Sequence, residues 1–203
     1  MQRRGLLVCF LVACGGDVDP PTNGDASTGG DGGGSQQSDG GPRPDAPGGV
    51  GEPAELVGIT LAHNEARADV VTGTPLPAMT WDPSLAQTAA TWAAMCRDQD
   101  APIGLIDHNP NRSVGHPFYV GENIFASSGT ANPQQAVMLW IAEKSNYNYE
   151  NNTCSGTCGH YTQVVWRESV KLGCAIGNCP GHTYPSSIIC NYGPGGNDGS
   201  RPY

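Results

Sequence analysis

The chain has 203 residues, a formal charge of −9 and a pI near 4.8. Ten Lys and Arg stand against nineteen Asp and Glu, so the basic surplus that phosphate binding requires is missing, which argues against nucleic acid and anionic membrane surfaces as partners. Eight cysteines point to an oxidising compartment, because a reducing cytosol would not keep them paired.

Residues 1–14 read as an export signal. Met1-Gln2-Arg3-Arg4 is a basic start, and Leu6 to Ala13 is an apolar run too short to span a bilayer. Leu11-Val12-Ala13-Cys14 resembles a bacterial lipobox, so Cys14 is expected to carry the lipid of an outer-membrane or cell-surface lipoprotein; without acylation the same domain would be secreted. Residues 15–52 are rich in Gly, Asp, Pro and Ser with almost nothing apolar to bury, and are expected to form a solvated tether with a reach of about 35 Å. Residues 53–203 have the size of one domain.

In that domain Glu52-Pro53 is predicted to open a helix with Leu56, Ile59, His63, Ala66 and Val70 at spacings of three and four. This puts His63 on the buried stripe, as a structural histidine satisfied by its neighbours. Ala78 to Trp81 reads as extended. Asp82-Pro83 then pairs an N-cap with a proline at the first helical position, and Leu85, Ala89, Trp92 and Cys96 share a face of the helix that follows. Arg97 to Pro117 is irregular and carries His108 and His116, and Gly121 to Phe125 is a short strand with Glu122 at its start. Asn132-Pro133 repeats the cap signal for a helix expected to align Ala136, Trp140, Glu143 and Tyr147. Val170–Ile176 and Ser187–Tyr192 read as an antiparallel pair in which Cys174 and Cys190 could face each other.

The densest chemistry lies in Cys158 to Trp166, where His160, Thr162 and Gln163 precede the apolar Val164-Val165-Trp166. This reads as a site set against a core. Together with His63-Asn64 and Arg67, Trp81, Trp92-Ala93, Gly121-Glu122-Asn123-Ile124, Trp140 with Glu143, Gly173-Cys174 and Cys190 to Asn197, it resembles the CAP superfamily of cysteine-rich secretory, antigen 5 and pathogenesis-related 1 proteins. The Arg201-Pro202-Tyr203 ending looks most like the plant pathogenesis-related 1 branch, and the lipobox makes a bacterial lipoprotein-type member the expectation.

The resemblance implies an α+β fold, a three-layer α-β-α sandwich around a small, mainly antiparallel sheet. Beyond Cys9 and Cys14, six cysteines permit fifteen pairings; similarity to the plant branch selects Cys96 with Cys179, Cys154 with Cys158 and Cys174 with Cys190. The first closes the longest loop, worth about 4 to 5 kcal/mol in the chain-entropy account.

For function, the resemblance implies a central cleft carrying His108, Glu122, Glu143 and His160. The run His108-Asn109-Pro110-Asn111-Arg112 resembles bacterial members and favours His108 over His116. Two imidazoles could ligate zinc or another divalent ion, while two carboxylates could orient them, complete the shell or move protons on a bound water. The expected activity is that of an extracellular monomeric domain binding a small apolar, lipid or sterol-like ligand, or a peptide. Gln163 to Cys174 overlies the segment to which sterol contact is ascribed in the family. The alternatives are a metal-dependent hydrolase with Glu122 or Glu143 as general base, and a surface adhesion module. The chain has no His-Glu-x-x-His helix, no Gly-x-Ser-x-Gly elbow and, with three disulfides formed, no free cysteine nucleophile in the domain, which disfavours catalysis.

Overall fold

The first long helix starts later than the sequence pattern suggests, at Ile59. The computed structural model describes residues 51–203, so the export signal, Cys14 and the tether through Val50 lie outside the described residues. Ala54–Leu56 form a single 3-10 turn, and Gly58, at φ 88°, separates it from α1 (Ile59–Ala68). Glu52 is not helical. Its carboxylate turns back to accept hydrogen bonds from the Gly58 and Thr60 N–H groups, both at 2.8 Å, and so caps α1 from outside the helix.

The two cap-and-proline signals mark true helix starts. Asp82 Oδ1 accepts from Ser84 and Leu85 N–H at the start of α2 (Pro83–Ala93). Asn132 Oδ1 accepts from Gln135 N–H at the start of α3 (Pro133–Ala142). The predicted face running through Glu143 to Tyr147 does not exist as one helix. Beyond Ala142 the chain tightens into a 3-10 turn, Glu143–Asn146, and Tyr147 begins strand β3 (Tyr147–Asn148), paired with β4 (Thr153–Cys154). Cys158 to Trp166 contains a helix the sequence pattern did not show, α4 (Gly159–Val164).

The main sheet has four strands in the order β1-β5-β6-β2, formed by β1 (Thr80–Trp81), β2 (Gly121–Ser127), β5 (Lys171–Asn178) and β6 (Ser186–Gly193). Only β1 runs parallel to its neighbour; β5, β6 and β2 are antiparallel. Strand alternation divides the interior in two. Cys174, Ile188 and Cys190 face a core built with Leu56, Ile59 and Trp140. Ala175 and Ile189 face a second core with Ala89, Trp92 and Ile106 of the α2 side. The sheet is therefore the middle layer, with α2 on one face and α1, α3 and α4 on the other. Gly173 is where α2 approaches closest, since a Cβ there would lie 2.2 Å from the Ala86 nitrogen.

Three disulfides staple these layers. Cys96, just past the end of α2, joins Cys179 at the end of β5; Cys174 joins Cys190 directly across the β5–β6 ladder; and Cys154 joins Cys158 at the entry to α4.

Candidate functional site

The site lies at the β2 edge of the sheet, where the two helical layers meet. Residues alternate across β2, so Glu122 and Asn123 serve opposite faces. Glu122 lies opposite Asn191 of β6 and its Oε1 accepts from His108 Nδ1 at 2.7 Å and from the Asn109 N–H at 2.9 Å. Because a carboxylate can only accept, the Asn191 amide is oriented with its nitrogen toward Glu122 Oε2, to which it then donates at 3.1 Å. The Glu122 side chain is fully enclosed, whereas the His108 side chain keeps 23% of its surface exposed.

The second pair comes from the other layer. Glu143, at the turn that ends α3, is buried. Its Oε1 accepts from His160 Nδ1 at 2.6 Å, and its Oε2 accepts from the His160 N–H at 2.9 Å and the Tyr161 N–H at 3.3 Å. Those amides belong to the first turn of α4, whose own Cys158 supplies no side-chain cap. Glu143 therefore caps a helix distant in sequence and aims that helix's histidine in the same act. Trp140 stacks on the His160 ring at 6.3 Å between centroids.

His108 and His160 line one pocket of about 260 Å³ together with Pro102, Leu105, Ile106 and Ile124, with Asp100 and Asp107 also on its wall. Glu122 and Glu143 are not on that wall; they stand behind the rings. An ionised carboxylate can only accept, so each Nδ1 carries a proton, and in the neutral ring each Nε2 keeps a lone pair. Neither Nε2 makes a hydrogen bond among the described residues. This carboxylate–histidine arrangement is how proteins fix the tautomer and raise the basicity of metal-ligating imidazoles. Among the described residues, no group of three or more His, Cys, Asp or Glu forms a metal cluster; the two imidazoles are the side chains of this pocket that could ligate an ion.

The other histidines are elsewhere. His116 meets Thr88 of α2 through Nε2 at 2.9 Å and stacks on Phe118, outside the pocket. His63 is fully buried, with Nδ1 bonded to the Ile59 carbonyl at 2.7 Å and Nε2 to the Tyr192 hydroxyl at 2.9 Å. Its burial, only partly offset by the Ile59 hydrogen bond and aided by the nearby Arg67 charge, lowers its pKa to about 4. Gln163 to Cys174 is largely interior: Gln163 Nε2 donates to Ser169 Oγ at 3.0 Å, its Oε1 accepts from the Gly196 N–H at 2.9 Å, and Val164, Val165 and Trp166 are buried.

Two residues behind the site escaped the sequence reading as contributors. Asn123 donates through Nδ2 to the His160 carbonyl and to the Tyr192 hydroxyl, both at 3.1 Å, tying α4 to β2. Asn191 braces Glu122. The available signal was period two: a buried polar residue on each face of a short strand needs a partner on each face.

A disulfide-stapled three-layer sandwich with two carboxylate-braced histidines at the sheet edge is the architecture of an extracellular cysteine-rich domain class. The cysteine-rich secretory protein family model, CAP, matches residues 60–192, and the chain belongs to this family. Pathogenesis-related protein 1 of Arabidopsis thaliana is 43% identical over 143 residues, covering 70% of this chain and 78% of that protein. GLIPR1-like protein 1 of Mus musculus is 37% identical over 150 residues, covering 70% of this chain and 60% of that protein. Among solved structures, venom allergen-like protein 4 of Schistosoma mansoni superposes with a TM-score of 0.58 at 30% identity, over 71% of this chain and 90% of that one. NaASP2, solved with Zn2+, superposes with a TM-score of 0.54 at 28% identity, over 71% of this chain and 82% of that one.

Proposed function

We propose that the protein is an exported, non-catalytic binding module whose ligand enters the pocket between His108 and His160 and is anchored on their Nε2 atoms. The observation that carries this reading is that both rings are locked at Nδ1 by enclosed glutamates while both Nε2 atoms stay unpartnered at one pocket. A weakly held divalent ion such as zinc suits the two imidazoles, and NaASP2, a relative by structure, was solved with Zn2+. Such an ion would supply a Lewis-acidic point for an oxygen or nitrogen donor of the ligand. With two protein donors instead of the four of structural zinc sites, binding is expected to be weak.

The apolar wall of Pro102, Leu105, Ile106 and Ile124 suits the aliphatic part of a lipid or peptide. At about 260 Å³ the pocket falls below the size of sites that enclose a drug-sized ligand, and so accommodates a small molecule or the end of a longer one. Binding is favoured over hydrolysis because both glutamates are spent: each accepts hydrogen bonds from an imidazole and from backbone N–H groups, and neither reaches the pocket as a free base. Three disulfides fit export, and lipid attachment through Cys14 would hold the module at a cell surface.

Calorimetric titration of the full chain with zinc is the test. The expected result is weak binding near one ion per chain, lost in the His108→Ala, His160→Ala double variant. Undiminished binding by that variant would overturn the assignment, and metal-dependent cleavage of peptides abolished by Glu143→Gln would replace the binding module with a hydrolase.

A further inference from the structure

A second unexplained feature lies on the opposite edge of the sheet from the histidines. Strand β1 pairs with β5 for only two residues, Thr80 with Lys171 and Trp81 with Leu172, because Asp82-Pro83 turns the chain away into α2. From Gly173 to Asn178, β5 has no neighbour on that side among the described residues. The direction of its backbone groups follows from the bonds flanking this stretch. Asp82 N–H donates to the Leu172 carbonyl on the β1 side, whereas Cys179 N–H donates to the Pro185 carbonyl on the β6 side. Alternation then places the N–H and C=O of Cys174 and Ile176 on the open edge.

That edge forms the floor of a groove of about 700 Å³. Pro83, Ala86 and Ala90 of α2 make one wall, and Pro53, Glu55 and Leu56 make the other. Free sheet edges are commonly guarded by charged side chains or proline; Cys174 to Asn178 carries neither. Among the described residues, Glu55 is the one charged residue lining the groove, in a chain of net charge −9.

We propose that this groove takes an extended peptide strand of a partner protein, which adds to β5 where β1 leaves it. The strand would exchange backbone hydrogen bonds with Cys174 and Ile176 over about five residues, or about 17 Å. Its side chains would be small or β-branched toward the α2 and Leu56 walls, and it would carry a Lys or Arg toward Glu55. The site is independent of the histidine pocket and of any metal there.

The probe is a fluorescent eight-residue peptide of alternating valine and lysine, titrated into the full chain with amide hydrogen exchange read residue by residue. In the free chain the Cys174 and Ile176 amides exchange quickly, and saturating peptide slows both. N-methylation of the peptide at alternate amides, in the phase that faces β5, abolishes binding. Ile176→Pro removes one outward N–H without touching the β6 ladder, a substitution edge strands tolerate, and raises Kd at least about tenfold. Glu55→Lys, at an exposed position, weakens this peptide and strengthens its valine–glutamate counterpart. Slow exchange of Cys174 and Ile176 in the free chain would overturn the proposal, because the chain's own residues, those before Gly51 included, would then cover the edge. Absence of binding, or binding indifferent to both N-methylation and Glu55→Lys, would overturn it too.

Discussion

His63 and His160 lie in the same helical layer, on α1 and α4, and Asn123 links them by donating to both the Tyr192 hydroxyl that meets His63 and the His160 carbonyl. Both rings are held at Nδ1 by an oxygen acceptor. The difference is at Nε2. In His63 it accepts from Tyr192 inside a closed network; in His160 it is left at a pocket wall. Identical side chains are thus a structural strut and a candidate ligand, and the distinction rests on one unfilled hydrogen-bonding position. Around His63 the strut extends to Arg67, which is 1% exposed. Its guanidinium donates to the carbonyls of Pro77, Val164, Trp166 and Arg167. Burial, reinforced by the charge of Arg167, lowers its pKa to about 10, so it stays charged at neutral pH.

The closed region is where substitutions should cost most. Arg67→Met leaves the Val164 carbonyl at the end of α4 and the Pro77 carbonyl without a donor and weakens the hold on the Trp166 carbonyl, and a loss on the order of 4 kcal/mol is expected. A urea midpoint unchanged from the wild type would break the distinction between strut and site at its stronger end.

A smaller effect follows from pH. The folded-state pKa of His63 is lowered from 6.5 to about 4, so the native state prefers the neutral ring and the unfolded chain takes up the proton first. Its contribution is fully present above pH 6.5 and is lost as pH falls toward 4, for a total of roughly 3 kcal/mol. Urea unfolding followed from pH 7 to 4 should show this slope, and His63→Leu should remove it. An equal slope in both proteins would place the acid sensitivity in other groups.

Which of these features were legible in sequence depends on how local their causes are. The starts of α2 and α3 were readable because Asp82 and Asn132 cap amides two or three residues away. The β5–β6 pair was readable from its strand pattern. Helix α4 was not, because its six residues include β-branched Thr162 and Val164 and it is stabilised by partners distant in sequence: the Glu143 carboxylate on the His160 and Tyr161 amides, the Asn123 amide on the His160 carbonyl and the Cys154–Cys158 bond. The delayed start of α1 has a similar source, since Glu52 acts as a remote cap and not as a first helical residue. The four site residues could be named from resemblance, yet their division into two rings at the pocket and two carboxylates behind them required the fold. No local pattern in the chain says which side of a residue a distant segment will cover.

The finest comparison exchanges a single atom. Glu143→Gln keeps the size and most hydrogen bonds of the original. Its amide oxygen would stay with the two backbone N–H groups of α4, the stronger demand, and its NH2 would then face His160 Nδ1. That contact is favourable only if Nδ1 becomes the acceptor, which moves the ring proton to Nε2. Stability should fall by only about 1 kcal/mol, since every buried group retains a partner. The atom exposed to the pocket, however, changes from a lone pair to an N–H, and zinc binding should weaken about 10- to 100-fold, the scale seen when the group orienting a ligand histidine is altered. Nitrogen NMR of His160 reads the tautomer independently of any metal. A tautomer unchanged by Glu143→Gln, with zinc affinity intact, would mean that the carboxylate only caps α4 and that His160 is as structural as His63.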